Sequence, residues 1–178
     1  MANLTNCLEE FQIYVGTYQK YNDGSIFGKW LNLSDYSSYD ELLNAMIELH
    51  KDEKDPEFMI QDFECPKFFE IQNLIGESFI SKDIYTIAEQ INNSNVSQEM
   101  LEAYLDCFGN SEIDELIKNA EDSFYGNYTS DEDFAQSLLE DCGDIPQNLP
   151  SYLYIDWERT ARDIMFDYLS SNGYYFRS

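Results

Sequence analysis

Histidine occurs once in the chain, at position 50, and only ten residues are Lys or Arg against thirty-five Asp and Glu. A Ser-His-Asp or Cys-His active site would therefore have to use His50. That residue ends a predicted helix beside Glu48, Lys51 and Asp52, and reads as a surface or C-capping histidine. The four cysteines, Cys7, Cys65, Cys107 and Cys142, form no C-x-x-C and lie far from His50 in sequence, which argues against structural zinc. The phosphate-binding G-x-x-x-x-G-K-[ST], the dinucleotide-binding G-x-G-x-x-G and the metalloprotease H-E-x-x-H are all missing. Asp131-Glu-Asp133 lacks the following glycine of a calcium loop. Neither a metal nor a cofactor is expected. No apolar run approaches the roughly 20 residues that span a bilayer. The segment Met1–Phe11 carries Glu9 and Glu10 and no apolar signal core, so the expectation is a cytoplasmic protein with reduced thiols.

What the chain has in excess is negative charge, a net −25. With 43% hydrophobic and 16% aromatic residues it is far from the composition of a disordered acidic tail, so it folds around a core. Repulsion among like charges opposes a compact state. A sphere-like chain of this length has a radius of gyration of roughly 16 Å, and an elongated chain or a row of modules would relieve the repulsion. The sign of the charge disfavours nucleic acid and anionic membranes and points to a cationic partner.

A merely solvated or salt-adapted surface predicts acids spread evenly. Residues 1–64 carry 13 acids and 4 bases, 65–108 carry 7 and 2, and 109–178 carry 15 and 4. The excess is general, but it is densest in 109–147, where Lys118 is the only base. The acids there are Glu112, Asp114, Glu115, Glu121, Asp122, Asp131, Glu132, Asp133, Glu140, Asp141 and Asp144. These eleven are the candidate partner-binding carboxylates. A duplex carries one charge per about 1.7 Å of axis, so the net charge equals that of roughly 42 Å of DNA. Arg and Lys rows built for phosphates would meet such carboxylates in charge-assisted hydrogen bonds. The enzymatic alternative, a carboxylate pair cleaving a sugar bond, is indicated by no particular two of the acids.

The residue pattern predicts an α+β fold in three small modules, 1–64, 65–108 and 109–178. Phe11–Val15 alternates apolar and polar residues like a strand. Asp23-Gly24 then supplies a tight turn into a second strand over Ser25–Leu33. Gly16 and Gly28 suggest bulges or close backbone approach. Ser38-Tyr-Asp-Glu41 has capping-box spacing and opens a helix to about His50, with Leu42, Leu43, Met46, Ile47 and Leu49 inward. Phe58–Phe63 reads as a third strand. The middle of the chain reads as helical. Ile84, Ile87, Ala88 and Ile91 form one stripe, Ser97 caps a helix to about Phe108, and Ser111 caps another to about Ala120. After an aromatic strand over Ser123–Tyr128, Ser130 opens an acid-led helix that stops at Gly143. Tyr152–Ile164 is read as helix and Asn172-Gly173 as a hairpin turn.

Three blocks then align with a known family. Ile13-Tyr-Val-Gly-Thr-Tyr18, Lys20-Tyr-Asn-x-Gly-Ser25 and Gly28-x-Trp30 resemble the N-terminus of ArdA-type antirestriction proteins. Asp55–Glu64 resembles the family's acidic strand. Leu138-Leu-Glu-x-Cys-Gly143, Ile145-Pro146, Leu149-Pro150, Tyr152, Ile155-Asp156 and Arg162-Asp163 resemble the region of its antirestriction motif. The resemblance implies an elongated three-module homodimer, not an enzyme, carried on mobile genetic elements. Such a protein mimics bent B-DNA and occupies the DNA groove of type I restriction-modification enzymes. An acidic protein that sequesters other basic DNA-binding proteins is the alternative. Tyr14, Tyr18, Tyr21 and Trp30 are expected in core and hairpin packing, and Arg162 in an internal or interface ion pair.

Overall fold

The computed structural model describes residues 7–146 and 148–178. Its helices and three antiparallel sheets are mixed along the chain, an α+β fold as expected. Two compact units form, Met1–Glu99 and Met100–Ser178.

In the first unit, β1 (Gln12–Thr17) lies between β2 (Lys29–Asn32) and β3 (Phe58–Glu64). Both pairings are antiparallel, with Ile13 opposite Leu31 and Phe63. Ile13 and Val15 are fully buried. The β1–β3 register shifts after Tyr14, whose partner is Asp62 while that of Val15 is Ile60. Gln61 is therefore the extra residue of a bulge. Its side-chain amide lies over Gly16, where a Cβ would stand 2.4 Å from Nε2, so a larger residue there would have to push the Gln61 side chain aside.

The turn between β1 and β2 is not the tight one expected. A short helix, α1 (Tyr18–Asn22), follows β1, because the Thr17 hydroxyl accepts a hydrogen bond from Lys20 N. Gly24 then turns the chain at φ 81°, and the second strand begins at Lys29 rather than Ser25. After a 3-10 turn at Leu33–Asp35, α2 (Tyr39–Leu49) starts where Ser38 Oγ accepts from Glu41 N. Glu41 accepts from Ser37 N at 2.8 Å, which holds its carboxyl below the usual range. Leu42 and Met46 are buried, but Ile47, expected inward, is 45% exposed.

Pro66 leads into α3 (Lys67–Ile71), whose Phe68 and Phe69 are fully buried, Phe69 against both Phe11 and Phe68. A small hairpin of β4 (Ile75–Gly76) and β5 (Phe79–Ile80) follows. Neither α3 nor the hairpin was anticipated. α4 (Ile84–Asn93) buries the predicted stripe of Ile84, Ile87, Ala88 and Ile91. Cys7 packs on it, and burial pushes its thiol up to about 11. All four cysteines are free thiols.

α5 (Gln98–Phe108) spans the boundary between the units, and its Met100, Leu101, Tyr104 and Leu105 are buried as expected. The second unit continues with α6 (Ile113–Ser123), β6 (Phe124–Asn127), α7 (Asp131–Cys142), α8 (Trp157–Ile164), β7 (Tyr168–Ser171) and β8 (Tyr174–Arg177). The sheet order is β6-β8-β7. Asn172 and Gly173 adopt φ 50° and 80°, as a tight hairpin turn requires. Phe134 of α7 is fully buried and stacks on Tyr175 at 4.6 Å, with Tyr125, Tyr128 and Tyr168 around it.

Ser130 caps α7 by accepting from Asp133 N, and Gly143 ends it at φ 73°. At that end Asp144 N donates to Leu139 O and Gly143 N to Glu140 O, the pairing of a Schellman motif. Two expectations need correction. The N-cap of α6 is Glu112, with no side-chain cap bond, and not Ser111. α8 starts only at Trp157, because Asp156 caps it by accepting from Arg159 N. Tyr152, Leu153 and Tyr154, read as helical, are exposed in the connection before it.

Candidate functional site: a carboxylate surface

All eleven candidate carboxylates belong to exposed residues of the second unit. Four lie on α6. Asp114 and Glu121, like Glu115 and Asp122, are seven residues apart, close to two full turns, so they share one helix face. Leu116 and Ala120 occupy the opposite, buried face. Lys118 falls three or four residues from each of the four acids and therefore stands among them.

α7 carries five more. Its first turn holds Asp131, Glu132 and Asp133, where the positive end of the helix dipole favours carboxylates. The buried side is Phe134, Ala135 and Leu138, which leaves Glu132, Asp133 and Glu140 toward water and Asp141 at the flank. Glu112 and Asp144 stand just outside the two helices.

The geometry separates two kinds of acid in this group. Asp131 accepts a 2.6 Å hydrogen bond from Tyr175 OH. Asp133 accepts from the amide and hydroxyl of Thr129, and Glu140 from the Gln136 amide. These three are partly occupied in holding the fold. Glu112, Glu115, Asp122, Glu132, Asp141 and Asp144 make no ion pair among the described residues. All six residues are exposed. Arg162 pairs with Glu158 at 3.2 Å on an open surface, not in the interior.

A second polar group was not read from the sequence. His50 is the C-cap of α2, as one expected role had it, but it is completely buried rather than on the surface. Its Nε2 lies 3.2 Å from Val15 O, and its Nδ1 lies 2.9 Å from Lys20 Nζ. An ammonium only donates, so Nδ1 accepts and Nε2 carries the proton. Lys20 also meets Asp52 at 2.8 Å and Glu53 at 3.4 Å, and Glu53 accepts from Thr17 Oγ1 at 2.7 Å. Burial opposes the charged form of Lys20, but the hydrogen bonds and charges of Asp52 and Glu53 outweigh it and hold the ammonium above its ordinary value. The spacing Thr17, Lys20, His50, Glu53 gives no local sign that these residues meet, because β1 and the end of α2 are brought together only by the fold.

An open groove of about 470 Å³ is lined by Glu9, Glu10, Gln12, Asn32, Glu64, Cys65 and Pro66. Its three glutamates are exposed, unlike the walled carboxylate pair that sugar cleavage uses. Among the described residues no group of His, Cys, Asp and Glu is placed to hold a metal ion. No helix among them is long and apolar enough to cross a membrane.

The fold is α+β, and its densest carboxylates stand on exposed helix faces. The chain belongs to the ArdA family of antirestriction proteins, whose family model matches residues 13–176. A comparison with curated protein sequences finds no match.

Proposed function

We propose that the protein inhibits type I restriction-modification enzymes by offering its carboxylates in place of DNA phosphates. The observation that carries this reading is the array on α6 and α7. Asp114 and Glu121 are separated by about 10.5 Å along the helix axis, close to the rise of three base pairs at 3.4 Å each. Carboxylates at such spacing on a rigid helix can meet Arg and Lys side chains arranged for a phosphate backbone. The family's antirestriction role supports the same direction.

The working form is proposed to be a homodimer joined through the second unit. Its Leu149, Tyr152, Leu153, Tyr154 and Phe166 are exposed apolar residues. All three arginines of the chain, Arg159, Arg162 and Arg177, fall in the same region of the sequence, which moderates the repulsion between two acidic copies.

The test is DNA cleavage by a purified type I enzyme with increasing amounts of this protein. Near-stoichiometric inhibition is expected at low salt, with potency falling as salt rises. Complete DNA cleavage in low salt at large excess of the protein overturns the proposal for that enzyme.

A further inference from the structure

Tyr175 on β8 joins the packed interior of the second unit to a charge that stands in water. The residue is buried, and its ring stacks on Phe134 at 4.6 Å and meets Tyr128 edge-on at 5.6 Å. A ring packed on two sides has little room to swing. Its hydroxyl donates to Asp131 Oδ1 at 2.6 Å, whereas Asp131 itself is an exposed residue. Ser170, paired with Tyr175 across β7 and β8, donates to the same phenol oxygen and leaves the phenol's proton for Asp131. The segment leading into α7 is tied down at the same place. Tyr128 N donates to Gly173 O at 2.9 Å, in the turn between β7 and β8. The fold does not require this hold on Asp131. Ser130 already caps α7, and the helix dipole favours an acid in the first turn whether or not it is held still. A neutral acceptor at position 131 would serve the phenol without adding to a net charge of −25.

We infer that Tyr175 is a positioning residue, which holds the Asp131 carboxylate ready for an arginine or lysine side chain of the inhibited enzyme. The inference rests on the DNA-mimic reading and names one carboxylate of the array as preorganised. A carboxylate free to rotate must be stilled when a cation docks on it, and that ordering costs affinity. One held from the folded interior has lost the freedom before the partner arrives. The phenol takes one lone pair of Oδ1, and the remaining lone pairs of the two oxygens stay open to the cation. Asp133 is held in a similar way by the amide and hydroxyl of Thr129. The first turn of α7 therefore presents two fixed carboxylates on either side of Glu132.

The test measures inhibition of a purified type I enzyme across a salt series by the wild type, Tyr175→Phe, Asp131→Asn, the double variant and Asp131→Glu. Tyr175→Phe should be roughly two- to tenfold less potent at low salt. Its slope against salt should match the wild type, because no charge has been removed. Asp131→Asn should lose at least as much potency and show a shallower slope. In the double variant the loss of the phenol should add nothing further, because it acts only through Asp131. Asp131→Glu keeps the charge but carries it on a longer stem, away from the place the phenol fixes, and should lose potency as Tyr175→Phe does. Being a surface change, it tests the inference even if Tyr175→Phe is too unstable to assay. Tyr85→Phe is the control, since it removes a phenol bond to Leu33 O in the first unit and should lose stability without losing potency. Undiminished potency of Tyr175→Phe or Asp131→Glu overturns the positioning role and leaves the carboxylate mechanism standing. Losses that multiply in the double variant, or a matching loss in Tyr85→Phe, ascribe the effect to stability and overturn it as well. Absence of inhibition by the wild type overturns the mimic reading and the positioning role together.

Discussion

Tyr85 and Tyr175 are phenols kept in their neutral form by the places they occupy. Tyr85 donates to Leu33 O at 3.0 Å, and burial, then Tyr36 and Glu41, push its pKa well above the ordinary value. Tyr175 is 3% exposed, and burial, then its bond to the Asp131 carboxylate, raise it likewise. A phenol raised in the folded state contributes stability that is complete below its unfolded value of about 10 and is lost as pH climbs through the folded value. The protein should therefore weaken progressively above about pH 10. Tyr85→Phe removes one ionisable group and one hydrogen bond. Near neutral pH it should cost about 1 kcal/mol, while its loss of stability above about pH 10 should be shallower than that of the wild type. Urea unfolding at neutral and alkaline pH measures both effects, and parallel alkaline losses would contradict the assignment.

At the scale of the elements, α6 shows how charge and fold are combined. Its buried side is Leu116 and Ala120, and its water side carries Asp114, Glu115, Glu121 and Asp122 around Lys118. That single base reduces the negative potential of the face. Replacing it, Lys118→Gln, should improve inhibition of a type I enzyme at low salt by roughly two- to fivefold, the scale of one exposed charge interaction. The gain should vanish at high salt, and inhibition assays at two salt concentrations read it directly. Weaker inhibition by the variant at low salt would mean that Lys118 itself makes a favourable contact.

Helices such as α2, α4 and α7 were legible in the sequence because their signals are local. Ser38 and Ser130 cap, Gly143 terminates, and the Ile84 to Ile91 stripe repeats at helical period. The β7–β8 turn was legible for the same reason, since Asn172-Gly173 tolerates positive φ. What was not legible depends on distant partners. α1 replaced a tight turn because Thr17 caps it, and α3 is fixed by the packing of Phe68 and Phe69 near Phe11. Tyr152–Tyr154 has helical composition but lies before the Asp156 cap. The candidate carboxylates were visible as a density of acids. Their division was not, because Asp131 is engaged by Tyr175, forty-four residues away in the chain.

For the whole molecule, the dominant fact is a net charge of −25 with only four ion pairs found among the described residues. Repulsion of this kind is screened within about 10 Å at 0.1 M salt. Melting temperature should therefore rise from about 10 mM to about 300 mM NaCl, contrary to the behaviour of a fold held by surface ion pairs. Differential scanning calorimetry measures it, and a flat or falling trend would mean that the acids are already neutralised. The same screening should weaken inhibition, so stability and potency are expected to move in opposite directions as salt is added.

The division of the chain into two compact units has an optical consequence. The protein contains only two tryptophans, and each unit holds one. Trp30 lies on β2 with Tyr14 edge-on at 5.5 Å, and Trp157 is the half-buried first residue of α8. Replacing either by Phe leaves a protein whose indole emission reports on one unit alone. With one such variant for each unit, fluorescence during denaturation becomes a built-in gauge of whether the two units lose their structure in a single cooperative step or in sequence.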